Sequence, residues 1–282
     1  MRARRFAVVG DPVAHSKSPA MQTAAFRALG LPHTYEALRV TESELPRIVA
    51  LLRDGTYDGL NVTVPHKERV LSLVDVLDAS AKVAGAANTL VRRDDGRVAA
   101  HNTDAPALAV ELRRLGPKLP WIEARALVLG AGGAARAAVA ALGVHLGVRD
   151  IVVRARAFID PARRDGFATT APCAVTAQPW CASPESEART IAIVQATSAG
   201  MLGADPGEGV AGAVAWDALR PETIAIDVVY SPRDTPWLRA ARAHALRCDD
   251  GLGMLARQGA LALELWLGVE APLEAMRAAI EH

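Results

Sequence analysis

Short apolar runs alternate with amphipathic stretches along nearly the whole chain. FAVVG (6–10) reads as a strand, SPAMQTAAFRALG (18–30) as a helix closed by Gly30, and TYEALRV (34–40) as the next strand. SELPRIVALLRDG (43–55) has helical spacing, and residues 59–64 form a strand that Pro65 stops. A second series begins near residue 125, with ALVLG, DIVVR, IAIVQ and TIAIDVV as strands. From about Gly251 to Glu281 the pattern is purely helical. Strand after helix after strand predicts parallel α/β architecture, and the two series suggest two domains. The segment from Pro161 to Arg189 reads least clearly, with a helix and a short strand around CAVTA (173–177) expected.

A length of 282 residues accommodates two such domains. Apolar residues make up 51% and charged residues 22%, too apolar for a disordered chain. The net charge of +1 and an aromatic content of 4% leave nothing to attract nucleic acid. No apolar segment approaches the ~20 residues of a membrane helix. The basic start, MRARRF, lacks the apolar stretch of a signal peptide. Cys173, Cys181 and Cys248 are few and lack metal spacing, so a reduced, cytoplasmic setting without a metal is expected.

Chemistry first enters at ALVLGAGGAARAAVAAL (126–142), a strand, a glycine turn and a helix in that order. Gly130, Gly132 and Ala135 fill the G-x-G-x-x-A pattern: a tight turn, a close approach to a pyrophosphate, and close helix packing. Backbone N–H groups at the helix start then face the phosphates. The following strand ends in Arg154, with Arg156 two residues on, where an NAD enzyme carries an acid. A guanidinium can grip a 2′-phosphate, so the pattern favours NADP.

Polar clusters follow the other strands. HSKSP (15–19) carries Ser16 and Ser18, and two hydroxyls at a helix start suit a carboxylate, although Ser18 also fits a helix cap. NVTVPHK (61–67) sets Asn61 and Thr63 on one side of a strand, with Lys67 just beyond. GAANT (85–89) offers Asn88, NTD (102–104) offers Asp104, and Tyr230 follows the strand at DVVY. Gln258 lies on a mostly apolar helix. Strand ends are where open α/β sheets bind ligands, and this inventory suits a small polyhydroxylated acid.

These motifs, with ATSAGM (196–201), DVVYSPRDTP (227–236) and DGLGMLARQGA (250–260), closely resemble the NADP-dependent shikimate dehydrogenase family in order and spacing. The resemblance implies an N-terminal α/β substrate domain (1–104 plus 252–282) completed by the last helices, and a Rossmann-like NADP-binding domain (105–251). It implies reduction of 3-dehydroshikimate by NADPH, with Lys67 and Asp104 bracketing the reacting hydroxyl. Ser16, Ser18, Asn61, Thr63, Asn88, Tyr230 and Gln258 would hold the substrate. Gly130, Ala131, Gly132, Gly133, Ala134, Arg154, Arg156, Thr197, Val228 and Gly251 would hold the coenzyme. Partners are otherwise unmarked: no nucleic acid and no membrane, with a homodimer allowed. Three departures from the family pattern stand out. Arg154-Ala155-Arg156 replaces Asn-Arg-Thr, Ala105-Pro106 follows the NTD motif, and Gln195 replaces an asparagine. Alternatives are a quinate/shikimate dehydrogenase that accepts NAD, and a non-catalytic dinucleotide-binding regulator.

Overall fold

The computed structural model describes residues 2–281. Its first stretch runs β1 (Arg5–Gly10), α1 (Ser18–Ala28), β2 (Thr34–Arg39), α2 (Leu45–Arg53), β3 (Gly59–Val62), β4 (Val76–Leu77), α3 (Ala79–Ala84), β5 (Thr89–Arg92) and β6 (Val98–His101). The middle stretch opens on α4 (Asp104–Leu115), β7 (Arg125–Leu129), α5 (Gly133–Ala140), β8 (Asp150–Arg154), α6 (Pro161–Thr170) and β9 (Thr176–Gln178). It continues through α7 (Pro184–Glu187), β10 (Thr190–Gln195), α8 (Glu208–Ala211), β11 (Ile224–Asp227), α9 (Pro236–Ala243) and β12 (Arg247–Asp249). The chain ends on α10 (Leu252–Leu267) and α11 (Leu273–Ala278). It divides into two compact units, one of Met1–Asp104 with Leu255–His282 and one of Ala105–Met254.

In the first unit six strands lie in the order β2-β1-β3-β5-β6-β4. Alternation along β1 sends Ala7 and Val9 to one face, where Leu45, Val49 and Leu52 of α2 cover them. Phe6 turns to the other face and stacks on Trp266 of α10 (4.9 Å between centroids) and against Phe26 of α1 (5.5 Å). The sheet is not wholly parallel: β5 runs antiparallel to both β3 and β6. β5 and β6 are joined by a tight turn in which Arg93 N–H donates to Arg97 O and Gly96 takes φ +80°, and no crossover helix intervenes.

The second unit has six strands, all parallel, in the order β12-β11-β10-β7-β8-β9. Counted from β7, this is the doubly wound order with a switch between its first and fourth strands, where such sheets bind dinucleotides. Helix α5 packs by alanine, with Ala135, Ala137 and Ala138 sealed, which brings it close to the sheet. The short strand expected at 173–177 forms at Thr176–Gln178, later than the apolar residues alone indicate. No helix among the described residues is long and apolar enough to cross a membrane, and none of their acidic, histidine and cysteine side chains cluster as a metal site.

Candidate active site

One hydrogen-bonded network in the first unit gathers residues from four separated motifs. Lys67 Nζ lies 2.7 Å from Asp104 Oδ2, the latter at the first residue of α4. Asp104 Oδ1 accepts from Asn88 Nδ2 at 2.9 Å, and the same amide nitrogen lies 3.0 Å from Gln258 Oε1 on α10. Asn88 Oδ1 accepts the Thr103 N–H at 2.7 Å, which fixes which end of the amide faces Asp104. Asn61 Nδ2 donates to Asn88 O (3.0 Å) and Thr89 Oγ1 (3.1 Å).

The sheet explains this convergence. Register places Asn61 beside Val8 on β1 and opposite Thr89 on β5, so neighbouring strands point both polar side chains to the face that carries Phe6. β3 yields to Pro65 after its last rung, and the chain that follows carries Lys67 toward α4's first residue. His66, its neighbour, turns away: it is buried with Nε2 2.6 Å from Val40 O. Thr63 keeps a sheet bond from its N–H to Val9 O, and its methyl group lies against Gly10.

Tyr35 is a member that sequence patterning passed over. Its hydroxyl donates to Asn61 Oδ1 at 2.7 Å from the edge strand β2, reaching across β1. A tyrosine inside a strand is ordinary packing by pattern, and only register reveals its partner. Ser18 is not the cap of α1. Lys17 occupies the N-cap position without a side-chain cap bond, and Ser16 Oγ accepts the Ser18 N–H at 3.2 Å, so Ser16 has a structural task at the helix start.

In the second unit the glycine turn has the predicted form. Gly130 sits at φ +127°, and a Cβ there would meet Ala196 O at 2.8 Å. Gly132 caps α5, and a Cβ on it would meet nothing within 4 Å. Ala131, Gly132, Gly133 and Ala134 retain exposure whereas Ala135 is buried, so the turn presents backbone N–H groups at a helix start. Thr197 follows β10, with its N–H 2.5 Å from Gln195 Oε1. Val228 and Gly251 are in close contact, since a Cβ on Gly251 would lie 2.2 Å from Val228 O. Tyr230 follows β11, in the second unit. These features fit a dinucleotide: a tight turn closed to a side chain at Gly130 and an exposed helix start.

Arg154 is a correction. It has no solvent exposure, and its guanidinium grips Glu187 with two bonds of 2.7 and 2.9 Å, so it is not available to a coenzyme phosphate. Burial alone would raise the Glu187 pKa, but the bonds from Arg154, Ala215 and Ser183 hold it below the usual value. Arg156 is exposed instead, 5.0 Å over the Trp180 ring and 3.0 Å from Asp205.

Comparison with known proteins fits this arrangement. The sequence profile of the shikimate dehydrogenase substrate binding domain matches residues 8–90, and that of the shikimate 5'-dehydrogenase C-terminal domain matches 251–281. The shikimate dehydrogenase (NADP(+)) of Cereibacter sphaeroides is 38% identical over 99% of this chain and 98% of its own. This chain belongs to the shikimate dehydrogenase family. Among solved structures, shikimate 5-dehydrogenase from Thermus thermophilus, in complex with NADP(H) and shikimate, is 36% identical with a TM-score of 0.82, covering 98% of both chains. The ligand-free 5-ketofructose reductase of a Gluconobacter strain reaches the same TM-score at 29% identity, covering 100% of this chain and 99% of its own. The fold thus also serves another substrate, and choice between substrates rests on side chains.

Proposed function

We propose that this chain is a shikimate dehydrogenase, interconverting 3-dehydroshikimate and shikimate with NADPH and NADP+. The observation that carries this reading is the Lys67–Asp104 pair, 2.7 Å apart and tied through Asn88 to Gln258. Oxidising a secondary alcohol requires a group that takes the hydroxyl proton, and reducing the ketone requires one that returns it. Lys67 and Asp104 hold that proton between them: Asp104 orients the hydroxyl and Lys67 exchanges the proton at its oxygen. Asn61, Thr63, Asn88 and Gln258 bind the ring hydroxyls, Ser16 and Ser18 the carboxylate, and Tyr230 completes the substrate contacts.

Gly130, Ala131, Gly132, Gly133 and Ala134 would hold the coenzyme pyrophosphate, with Thr197, Val228 and Gly251 along its length. NADP(H), when bound, supplies or accepts the hydride at the alcohol carbon. Arg156 takes over the 2′-phosphate from Arg154, because it alone of the two presents an exposed guanidinium. Cysteines present as free thiols suit the cytoplasm, where this chemistry would run.

The test is a rate comparison with shikimate and with quinate, each under NADP+ and NAD+. The highest kcat/KM is expected for shikimate with NADP+. Absence of turnover in every pairing overturns the enzyme assignment, and a higher value with quinate or NAD+ overturns the stated substrate or coenzyme.

A further inference from the structure

The second unit holds a buried carboxyl that the chemistry above does not use. Asp227 ends β11 and has no solvent exposure. Donors from three segments converge on it. Gln195 Nε2, at the end of β10, donates to Oδ1 at 3.2 Å, and the Val229 N–H donates to the same oxygen at 3.0 Å. Oδ2 accepts the Thr235 hydroxyl at 2.7 Å.

Each donor is tied a second time. Gln195 Nε2 also donates to Ala199 O at 3.0 Å, and its Oε1 accepts the Thr197 N–H at 2.5 Å. Thr235 Oγ1 caps α9 by accepting the Leu238 N–H at 3.1 Å. Val229 O accepts the Gly251 N–H at 3.1 Å. One carboxyl therefore spans the backbone segments that carry Thr197, Val228 and Gly251.

We infer that Asp227 is a positioning residue for the coenzyme, setting the backbone at Thr197 and Val228 through Gln195, Val229 and Thr235 and so setting NADPH affinity. This rests on the reading that those segments hold NADP(H). Packing alone does not call for a carboxyl here, because an apolar side chain fills a buried site at lower cost than a charge. All three partners stand as donors, so only the ionised form accepts every one of them; a protonated Oδ2 would turn the Thr235 hydroxyl into an acceptor and leave its hydrogen without the carboxylate.

Burial pushes the Asp227 pKa up, the Thr235 and Val229 bonds pull it down, and the charge of Asp250 adds to the rise, leaving it at about 7. Asp250 is the charged group facing it and is itself paired with Arg233 at 2.6 Å. Every donor is accepted above about pH 7, and below it the Thr235 hydroxyl loses its carboxylate acceptor.

NADPH binding, followed by its fluorescence between pH 6 and 9, and steady-state KM values test this. In the wild type, affinity should fall as pH drops through about 7. Asp227→Asn should weaken NADPH about 5-fold at pH 8, the equivalent of one lost hydrogen bond, and flatten the step near neutrality, with the shikimate KM unchanged. Thr235→Val should follow it, and Thr235→Ser, which keeps the hydroxyl, should retain wild-type affinity. Wild-type affinity and pH profile in a folded Asp227→Asn protein overturn the inference, as does parallel loss for shikimate and NADPH. Should Asp227→Asn fail to fold, the Thr235 pair decides, and equal affinity in the Ser and Val variants overturns it. Failure of the underlying reading looks different: wild-type protein that does not bind NADPH at any pH in this range.

Discussion

Lys67 and Asp104 keep only 15% and 5% of their side chains exposed, so water competes weakly for either head group. In the proposed reaction a proton exchanged there would pass between groups already placed for it, which is the condition for efficient acid–base work. Lys67→Ala should lower kcat by about 10²-fold or more, with a much smaller change in the shikimate KM. Turnover near the wild-type value would remove Lys67 from the chemistry. Arg154 and Arg156 separate by the same reasoning about surroundings. Arg154→Ala strands Glu187 as an unpaired buried charge, a change that typically costs about 3–5 kcal/mol, so its effect should appear as a lowered Tm. Arg156→Ala should leave Tm nearly intact and raise KM for NADP+ more than for NAD+. Equal losses with both coenzymes would show that Arg156 reads no phosphate.

Among the elements, those built from local pattern were legible and those built from distant pairing were not. β7, its glycine turn and α5 follow from consecutive residues, as do α1 and α2 to within two or three positions. The antiparallel β5–β6 hairpin was missed because its turn, Arg93–Arg97, lies among charged residues that read as loop. Arg154 was misread because its partner, Glu187, lies 33 positions on, in the segment with the weakest pattern. Tyr35 was invisible until register set it near Asn61. Polar residues at strand ends could be read as a site, since sheet architecture brings such ends together; their individual bonds could not.

Element packing also yields a prediction. A Cβ on Gly59 would lie 2.3 Å from Trp266 Nε1, and that nitrogen donates to Leu90 O at 3.0 Å, so the indole cannot yield without losing its bond. Gly59→Ala should therefore cost about 1–3 kcal/mol by overpacking α10 against β3. Gly132→Ala serves as the control, since its Cβ meets nothing within 4 Å. Thermal melts followed by far-ultraviolet circular dichroism compare the two, and equal Tm values would show that α10 moves freely over the sheet.

At the scale of the whole molecule, Asp227 sets a conflict between stability and coenzyme positioning. Its folded pKa of about 7 lies above the value of about 3.9 for an unfolded aspartate, so the folded chain holds this proton more tightly. Between those values the folded state binds a proton that the unfolded state has released. Stability from this group is fully present below about pH 4 and falls as pH rises toward about 7, by about 1.4 kcal/mol per pH unit at the steepest. The ionised form that accepts every donor is thus the form that folding favours less. Asp227→Asn removes the titration while keeping the shape, so its stability relative to wild type should climb between pH 5 and 7.5 and level off above. The absolute offset also contains the altered bond to Thr235, which does not titrate, so the slope of the difference is what reports Asp227. Tryptophan fluorescence in urea suits the measurement, because Trp121, Trp180, Trp216 and Trp237 all belong to the unit that holds Asp227 and only Trp266 to the other. Two curves that run parallel across that range would show that Asp227 has an ordinary pKa and that burial exacts no charge penalty there.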